Sequence, residues 1–188
     1  VGSLHIQNRS VLDALLALDT PFATTNYDHL IEEALAGKAP QLAISLTDRD
    51  AVEGVIRDWN RTEFRSGVLH LHGKWDQPES VVLGTKTYGA VIHDEHARTV
   101  LKSLRLSKSL LFVGCADGLG DPNFGDFLTW TRPVFAGSTF HQYCLVRECE
   151  RDKLQAQHPL TERIVFLSYG KEFKDLALFL RRLAPKRE

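Results

Sequence analysis

The stretch PFATTNYDHLIEEAL, residues 21–35, places Thr25, Asn26 and Asp28 where a short apolar run gives way to an amphipathic one. An amide side chain donates and accepts hydrogen bonds at once, so Asn26 can hold a sugar hydroxyl and a water together. Thr25 can add a further hydrogen bond, and Asp28 can orient a partner. The plainer use of the same residues is a helix cap made by Asn26 or Asp28 alone. A second candidate lies in GVLHLHG, residues 67–73, where His70 and His72 alternate with Leu69 and Leu71. A regular strand would put both imidazoles on one face. His72, followed by Gly73, is placed for acid–base work at the strand end, whereas His70 fits a buried structural role. As a metal pair the two would need further ligands, and Asp76, His93, Asp94 and His96 are the options. A third candidate is GCADGLGDPNF, residues 114–124. Gly114, Gly118 and Gly120 permit sharp turns and close backbone approach to a ligand. Asp121 and Pro122 can open a helix, whose first N–H groups suit phosphate or hydroxyls. A turn followed by a simple cap is the alternative.

These side chains can act together only if the fold brings them to one edge. Residues 10–18 read as a helix with Ser10 as a candidate cap, and 21–25 as a short buried strand. A helix over 28–36, closed by Gly37, follows. Val52, Val55, Ile56 and Trp59 give 48–59 a helical face. Strands are expected at 67–73, 80–84, 109–114, 141–146 and 163–169, the third of these buried on both faces. Helices are expected at 94–106, 148–157 and 172–183, the last with Phe173, Leu176, Leu180 and Leu183 on one face. The alternation predicts an α/β fold: a Rossmann-like, doubly wound, mainly parallel sheet with helices on both faces, a small helical insertion and no zinc ribbon. Ligands bind such sheets beyond the carboxyl ends of the strands. The three candidate motifs are the three most polar or Gly-rich strand exits in the chain.

The bulk composition narrows the field. The chain has 188 residues, 43% hydrophobic, with 23 Lys plus Arg against 24 Asp plus Glu and a net charge of -1. That suits a globular domain with a sizeable core and gives no electrostatic reason to expect nucleic acid or an anionic membrane as partner. No run of 18 apolar residues and no signal-peptide pattern is present. Cys115, Cys144 and Cys149 form no C-x-x-C pair and read as reduced thiols of a cytoplasmic protein. The chain contains no Met, which points to a domain cut from a longer protein.

Taken together, the motifs resemble the sirtuin family, and more narrowly its zinc-free bacterial branch, the sirtuin-like NAD hydrolases of anti-phage defence systems. The sirtuin T-Q-N-[IV]-D motif is matched by Thr24-Thr25-Asn26-Tyr27-Asp28, with the T-T-N-[YF]-D form of the zinc-free branch. The H-G pair with the family's catalytic His is matched by His72-Gly73. The G-[YF]-S-x-x-D-P-N motif is matched by Gly114-Cys115-Ala116 and Asp121-Pro122-Asn123, without its hydroxyl. Residues 80–91 resemble the branch's strand followed by a Tyr, here Tyr88. Residues 165–183 are similar to the last strand and helix, which close over adenine. The opening G-A-G-x-S loop, which cradles the NAD phosphates, has no counterpart.

The resemblance implies cleavage of the nicotinamide–ribose bond of NAD to nicotinamide and ADP-ribose, in defence by NAD depletion. His72, Asn26 and Asp28 would be catalytic; Thr25, Gly73, Gly114, Cys115, Ala116, Asp121, Asn123 and Tyr169 would contact NAD; no metal is implied. Residues 1–188 would form one sirtuin-like NAD-binding domain of a longer defence protein, lacking the upstream Gly loop. Further domains, subunits or copies of itself would be its partners. Two other readings remain open at this stage: an NAD-dependent protein-lysine deacylase, and a non-catalytic module that binds NAD or ADP-ribose.

Overall fold

A computed structural model describes residues 4–35, 43–59, 67–83, 87, 89, 93–115, 119 and 140–185. The chain divides into two units, Val1–Val100 with Leu180–Glu188, and Leu101–Phe179.

The first unit is built on a three-stranded parallel sheet. Its strands are β1 (Phe22–Thr24), β2 (Ala43–Ser45) and β3 (Val68–His70), in the order β1-β3-β2. The central strand β3 pairs Val68, Leu69 and His70 with Phe22, Ala23 and Thr24 on one side and with Ala43, Ile44 and Ser45 on the other. All three β3 residues are fully buried, as expected of a central parallel strand covered on both faces. Its helices are α1 (Ser10–Leu16), α2 (Leu30–Leu35) and α3 (Arg49–Trp59), and α4 (Glu95–Ser107) contains the boundary between the two units in sequence. α3 buries Val52, Val55 and Trp59, three of the four residues that mark its face in the sequence. Ser10 does not cap α1: Arg9 occupies the cap position, and Asn8 Oδ1 accepts the Ser10 N–H at 2.8 Å.

The second unit is also a parallel sheet, β4 (Leu111–Val113), β5 (Gln142–Arg147) and β6 (Ile164–Gly170), in that order. Phe112, Cys144 and Phe166 lie in register across it. Its core joins Cys144, Val146, Ile164 and Phe166 to Leu119 and to Leu154 of α5 (Glu148–Gln157), with Phe112 against them. At the start of α5 the Glu150 carboxylate accepts both the Arg147 backbone N–H, at 3.0 Å, and a guanidinium N–H of the same residue.

Strands alternate with helices, and all pairing between the described strands is parallel, so the chain has the Rossmann-like α/β organisation expected of its sequence. Four local expectations need correction. Residues 80–83 do not form a strand: Pro78–Ser80 is a 3₁₀ turn, and the Val82 N–H donates to the His72 carbonyl at 2.9 Å outside any strand ladder. The strand expected over 67–73 stops at His70, because 71 and 72 already turn. β4 is half-buried throughout rather than buried on both faces. Phe173 lies before the last helix, α6 (Asp175–Leu183), and is exposed; its ring carries the Arg147 guanidinium at 4.5 Å. A strand over 43–45 has too short an apolar run to announce itself, and Gly37 and Tyr88 lie outside the described residues.

Candidate functional site

The parallel pairing of β1 with β3 sets Thr24 beside His70. Asn26 and His72 therefore each leave the sheet two residues beyond the same rung, at the carboxyl end where ligands of parallel sheets bind. Three hydrogen bonds stitch the two exits together. The Leu71 N–H donates to the Thr24 carbonyl at 2.8 Å, and the Trp75 N–H to the Tyr27 carbonyl at 3.0 Å. The third joins His70 Nδ1 to the Asn26 carbonyl at 3.0 Å. Tyr27 adds a tie to the following segment, its hydroxyl donating to the Val82 carbonyl at 2.9 Å.

The Asn motif is held locally as well. Thr24 Oγ1 accepts the Asn26 N–H at 3.0 Å, and Asp28 Oδ1 accepts the Leu30 N–H at 3.1 Å. Asp28 thus caps α2, which was the plainer of its two sequence readings. Asn26 stays exposed, while Thr25 and Asp28 are half-buried. Asn26, Asp28 and Leu30 line a cleft of about 320 Å³, closed on the other side by His5, Ile6, Gln7 and Asn8 and by Val11, Leu12 and Leu15 of α1. The cleft is open to solvent, and its lining mixes polar and apolar side chains. His72 is half-buried at the adjoining exit and is not among the residues lining the cleft.

Behind this edge lies a buried polar layer. His70 is fully buried, and its Nε2 meets Glu32 Oε1 of α2 at 2.7 Å. The His29 ring packs edge-on to His70 at 5.7 Å and tilts against Trp75 at 6.0 Å. His29 Nε2 stands 3.5 Å from Asp76 Oδ1 without hydrogen-bond geometry. Lys74, also buried, donates through Nζ to the Ala43 carbonyl at 2.8 Å.

Gly73 is required by its surroundings. Its φ is +83°, and a Cβ there would come within 2.1 Å of the Ser80 carbonyl oxygen. The chain can reverse tightly after His72 only because that side chain is missing.

Of the sequence-selected residues, Thr25, Asn26, Asp28, His72 and Gly73 fall in the first unit, and the sheet brings their backbones to one edge. Gly114, Cys115 and Tyr169 fall in the second unit. There Gly114 ends β4 with φ +75°, and the Cys115 Sγ–H donates to the Val113 carbonyl at 3.5 Å. Burial pushes the Cys115 thiol up from its ordinary value. On β6, burial and then the Glu150 carboxylate push the Tyr169 phenol up. Ala116, Asp121 and Asn123 lie outside the described residues. Sequence reasoning missed Glu32 and the 5–8 segment. Nothing local distinguishes Glu32 from its exposed neighbour Glu33; only the tertiary contact with His70 does. Among the described residues, no group of three or more His, Cys, Asp or Glu side chains could hold a metal ion, and no helix is long and apolar enough to cross a membrane.

A family profile described as "SIR2-like domain" matches residues 20–168. Among curated proteins, the chain is 29% identical over 177 residues to a protein of Bacillus cereus (strain MSX-D12) named "NAD(+) hydrolase ThsA", covering 86% of this chain and 33% of that protein. It is 30% identical over 149 residues to a protein of the same name from Enterococcus faecium, covering 77% and 29%. A third of that name, from Acinetobacter baumannii (strain 532279), is 28% identical over 176 residues, covering 92% and 33%. The chain spans about a third of the length of these relatives.

Proposed function

Given that the chain belongs to the SIR2-like domain family, we propose that it is the NAD-binding domain of a bacterial NAD glycohydrolase. On this reading residues 1–188 act as one domain within a longer protein, whose other domains, subunits or further copies control its activity in anti-phage defence by depleting NAD. The observation that carries the reading is the joined exit of β1 and β3, where Asn26 and Asp28 line a cleft and His72 leaves the neighbouring strand. The relatives' shared name, NAD(+) hydrolase, supports the same substrate.

The reaction asks little covalent chemistry of the protein. The bond from ribose C1′ to the nicotinamide nitrogen breaks, and its electron pair neutralises the pyridinium. An oxocarbenium-like sugar is left, a water oxygen bonds to C1′, and the water's proton departs. The protein must hold the ribose, exclude bulk water and place one water molecule. We assign His72 as the general base that takes the proton from that water or from a ribose hydroxyl. Asn26, whose amide both donates and accepts, positions the water and the ribose. Asp28 orients the ribose or the carboxamide with whatever acceptor capacity its cap bond leaves. Thr25 and Gly73 complete this edge. By resemblance, Gly114, Cys115, Ala116, Asp121, Asn123 and Tyr169 serve the remainder of NAD. No metal enters the scheme.

Nicotinamide release from NAD by the full-length protein, followed by liquid chromatography, tests the assignment. Asn26→Ala and His72→Ala should each lower kcat by at least about 100-fold while the circular dichroism spectrum is retained. Undiminished release by either folded variant would remove that residue from the mechanism.

A further inference from the structure

The strand pattern marks His70 as a core histidine, and its burial agrees, but its two hydrogen bonds do more than satisfy the ring. A carbonyl oxygen only accepts, so Nδ1, 3.0 Å from the Asn26 carbonyl, must carry a proton and donate it. Nε2 then shares a single proton with the Glu32 carboxyl 2.7 Å away, either as imidazolium and carboxylate or as imidazole and carboxylic acid. Both forms hold the ring in one orientation, because a half-turn would break both bonds. Glu32 is itself buried, and among the described residues its second oxygen has no hydrogen-bond partner. The bond to His70 is therefore what compensates the burial of this carboxyl group. His29, edge-on to the ring at 5.7 Å, closes a further side.

The acceptor at the far end of this chain is the backbone of Asn26, a residue that lines the cleft. The Asn26 N–H is fixed by Thr24 Oγ1 at 3.0 Å and its carbonyl by His70. Asn26 is exposed and sits outside regular structure, between the end of β1 and the start of α2. These two bonds fix the backbone from which its side-chain amide projects. We propose that the Glu32–His70 pair is a positioning device: it runs from α2 through the sheet to the Asn26 peptide and fixes the amide that orients the reacting water and ribose. The proposal rests on the hydrolase reading above. His70 and Glu32 touch no substrate and act through Asn26.

The test compares Glu32→Gln and Glu32→Leu in the full-length protein. Glutamine can donate its amide N–H to a neutral Nε2 while Nδ1–H still serves Asn26, so the ring stays in place. Leucine fills the space and leaves Nε2 without its partner. Misplacement of a positioning group by about 1 Å costs on the order of 100-fold in rate. Glu32→Leu should therefore lower kcat by roughly 10- to 100-fold with KM for NAD less affected, and Glu32→Gln should recover most of it. On an Asn26→Ala background, Glu32→Leu should leave the residual turnover unchanged while lowering Tm as much as it does in the wild type. Full kcat in folded Glu32→Leu, equal losses in the Gln and Leu variants, or additive losses on the Asn26→Ala background would each overturn the proposal. Should the Leu variant fail to fold, long-range ¹H–¹⁵N NMR of the wild type decides the matter. A proton on His70 Nδ1 that is retained in Glu32→Gln, while the Nε2 resonance moves with the change of partner, supports the pair; an unprotonated Nδ1 in the wild type overturns it. A wild type that releases no nicotinamide refutes the hydrolase reading instead, and the NMR signature then still reads the clamp.

Discussion

Replacing Gly73 with alanine probes the tightest point of the site. At φ +83° an L-residue pays about 1–2 kcal/mol for the left-handed backbone alone. The new methyl would also lie 2.1 Å from the Ser80 carbonyl oxygen and 2.4 Å from its carbon, so one segment must move. Ser80 cannot yield cheaply. Its Oγ accepts the Lys74 N–H at 3.0 Å and donates to the Gln77 carbonyl at 2.7 Å, and the Val82 N–H is tied to the His72 carbonyl at 2.9 Å. Overpacking of this kind costs a further 1–3 kcal/mol or so. The total, about 2–5 kcal/mol, corresponds to a Tm loss of roughly 4–20 °C for a chain of this size. Gly114→Ala is the control: its φ is +75°, yet an added Cβ meets no described atom within 4 Å. It should pay the backbone cost only. Thermal unfolding of both variants, followed by circular dichroism and calorimetry, isolates the close approach as the difference between them. If Gly73→Ala is no more damaging than Gly114→Ala, the packing of residues 73 and 80 described above is wrong.

Two further outcomes are expected. Burial pushes the Cys144 thiol up to about 12, with Cys115 and Glu150 as lesser causes, against 9.0 for an ordinary thiol. The folded state therefore keeps a proton that the unfolded state loses. The stabilisation is full below the unfolded value and is lost as pH rises from about 9 towards 12, at up to about 1.4 kcal/mol per pH unit. Urea unfolding from pH 8 to 11 should show a steeper decline for the wild type than for Cys144→Ala, and parallel curves would refute the assignment. In addition, elemental analysis of the purified protein should find no stoichiometric zinc, and EDTA should leave nicotinamide release unchanged; a zinc-dependent activity would reopen the deacylase reading.

Much of the candidate site could be proposed from the sequence because its motifs are local. Thr24 to Asp28 and His72-Gly73 are contiguous motifs at strand exits, and the parallel pairing of β1 with β3 follows from the alternation of strands and helices, although their register does not. The ends of β3 were harder to read. His-Leu-His-Gly alternates as a strand would, but the chain turns at Leu71 and His72 and is held there by the Val82 N–H to His72 carbonyl and Lys74 N–H to Ser80 Oγ bonds, which join residues that no short window compares. Val81 and Val82 likewise suggest a strand by residue type, yet the 3₁₀ turn at Pro78 denies them a ladder. Glu32 was invisible for the same reason: a helical glutamate reads as solvated unless its buried partner is known. Phe173 fits a helical period, but the turn before Asp175 keeps it out of the helix.

The central claim is that the joined exits of β1 and β3 hydrolyse NAD with water and need no other substrate. The most direct measurement is the stoichiometry of products from NAD, with the full-length protein, in the presence and absence of an acyl-lysine peptide. Equimolar nicotinamide and ADP-ribose are expected from NAD alone, at a rate the peptide does not raise. Nicotinamide release that requires the peptide and yields an acylated ADP-ribose, or NAD binding with no release at all, would contradict it.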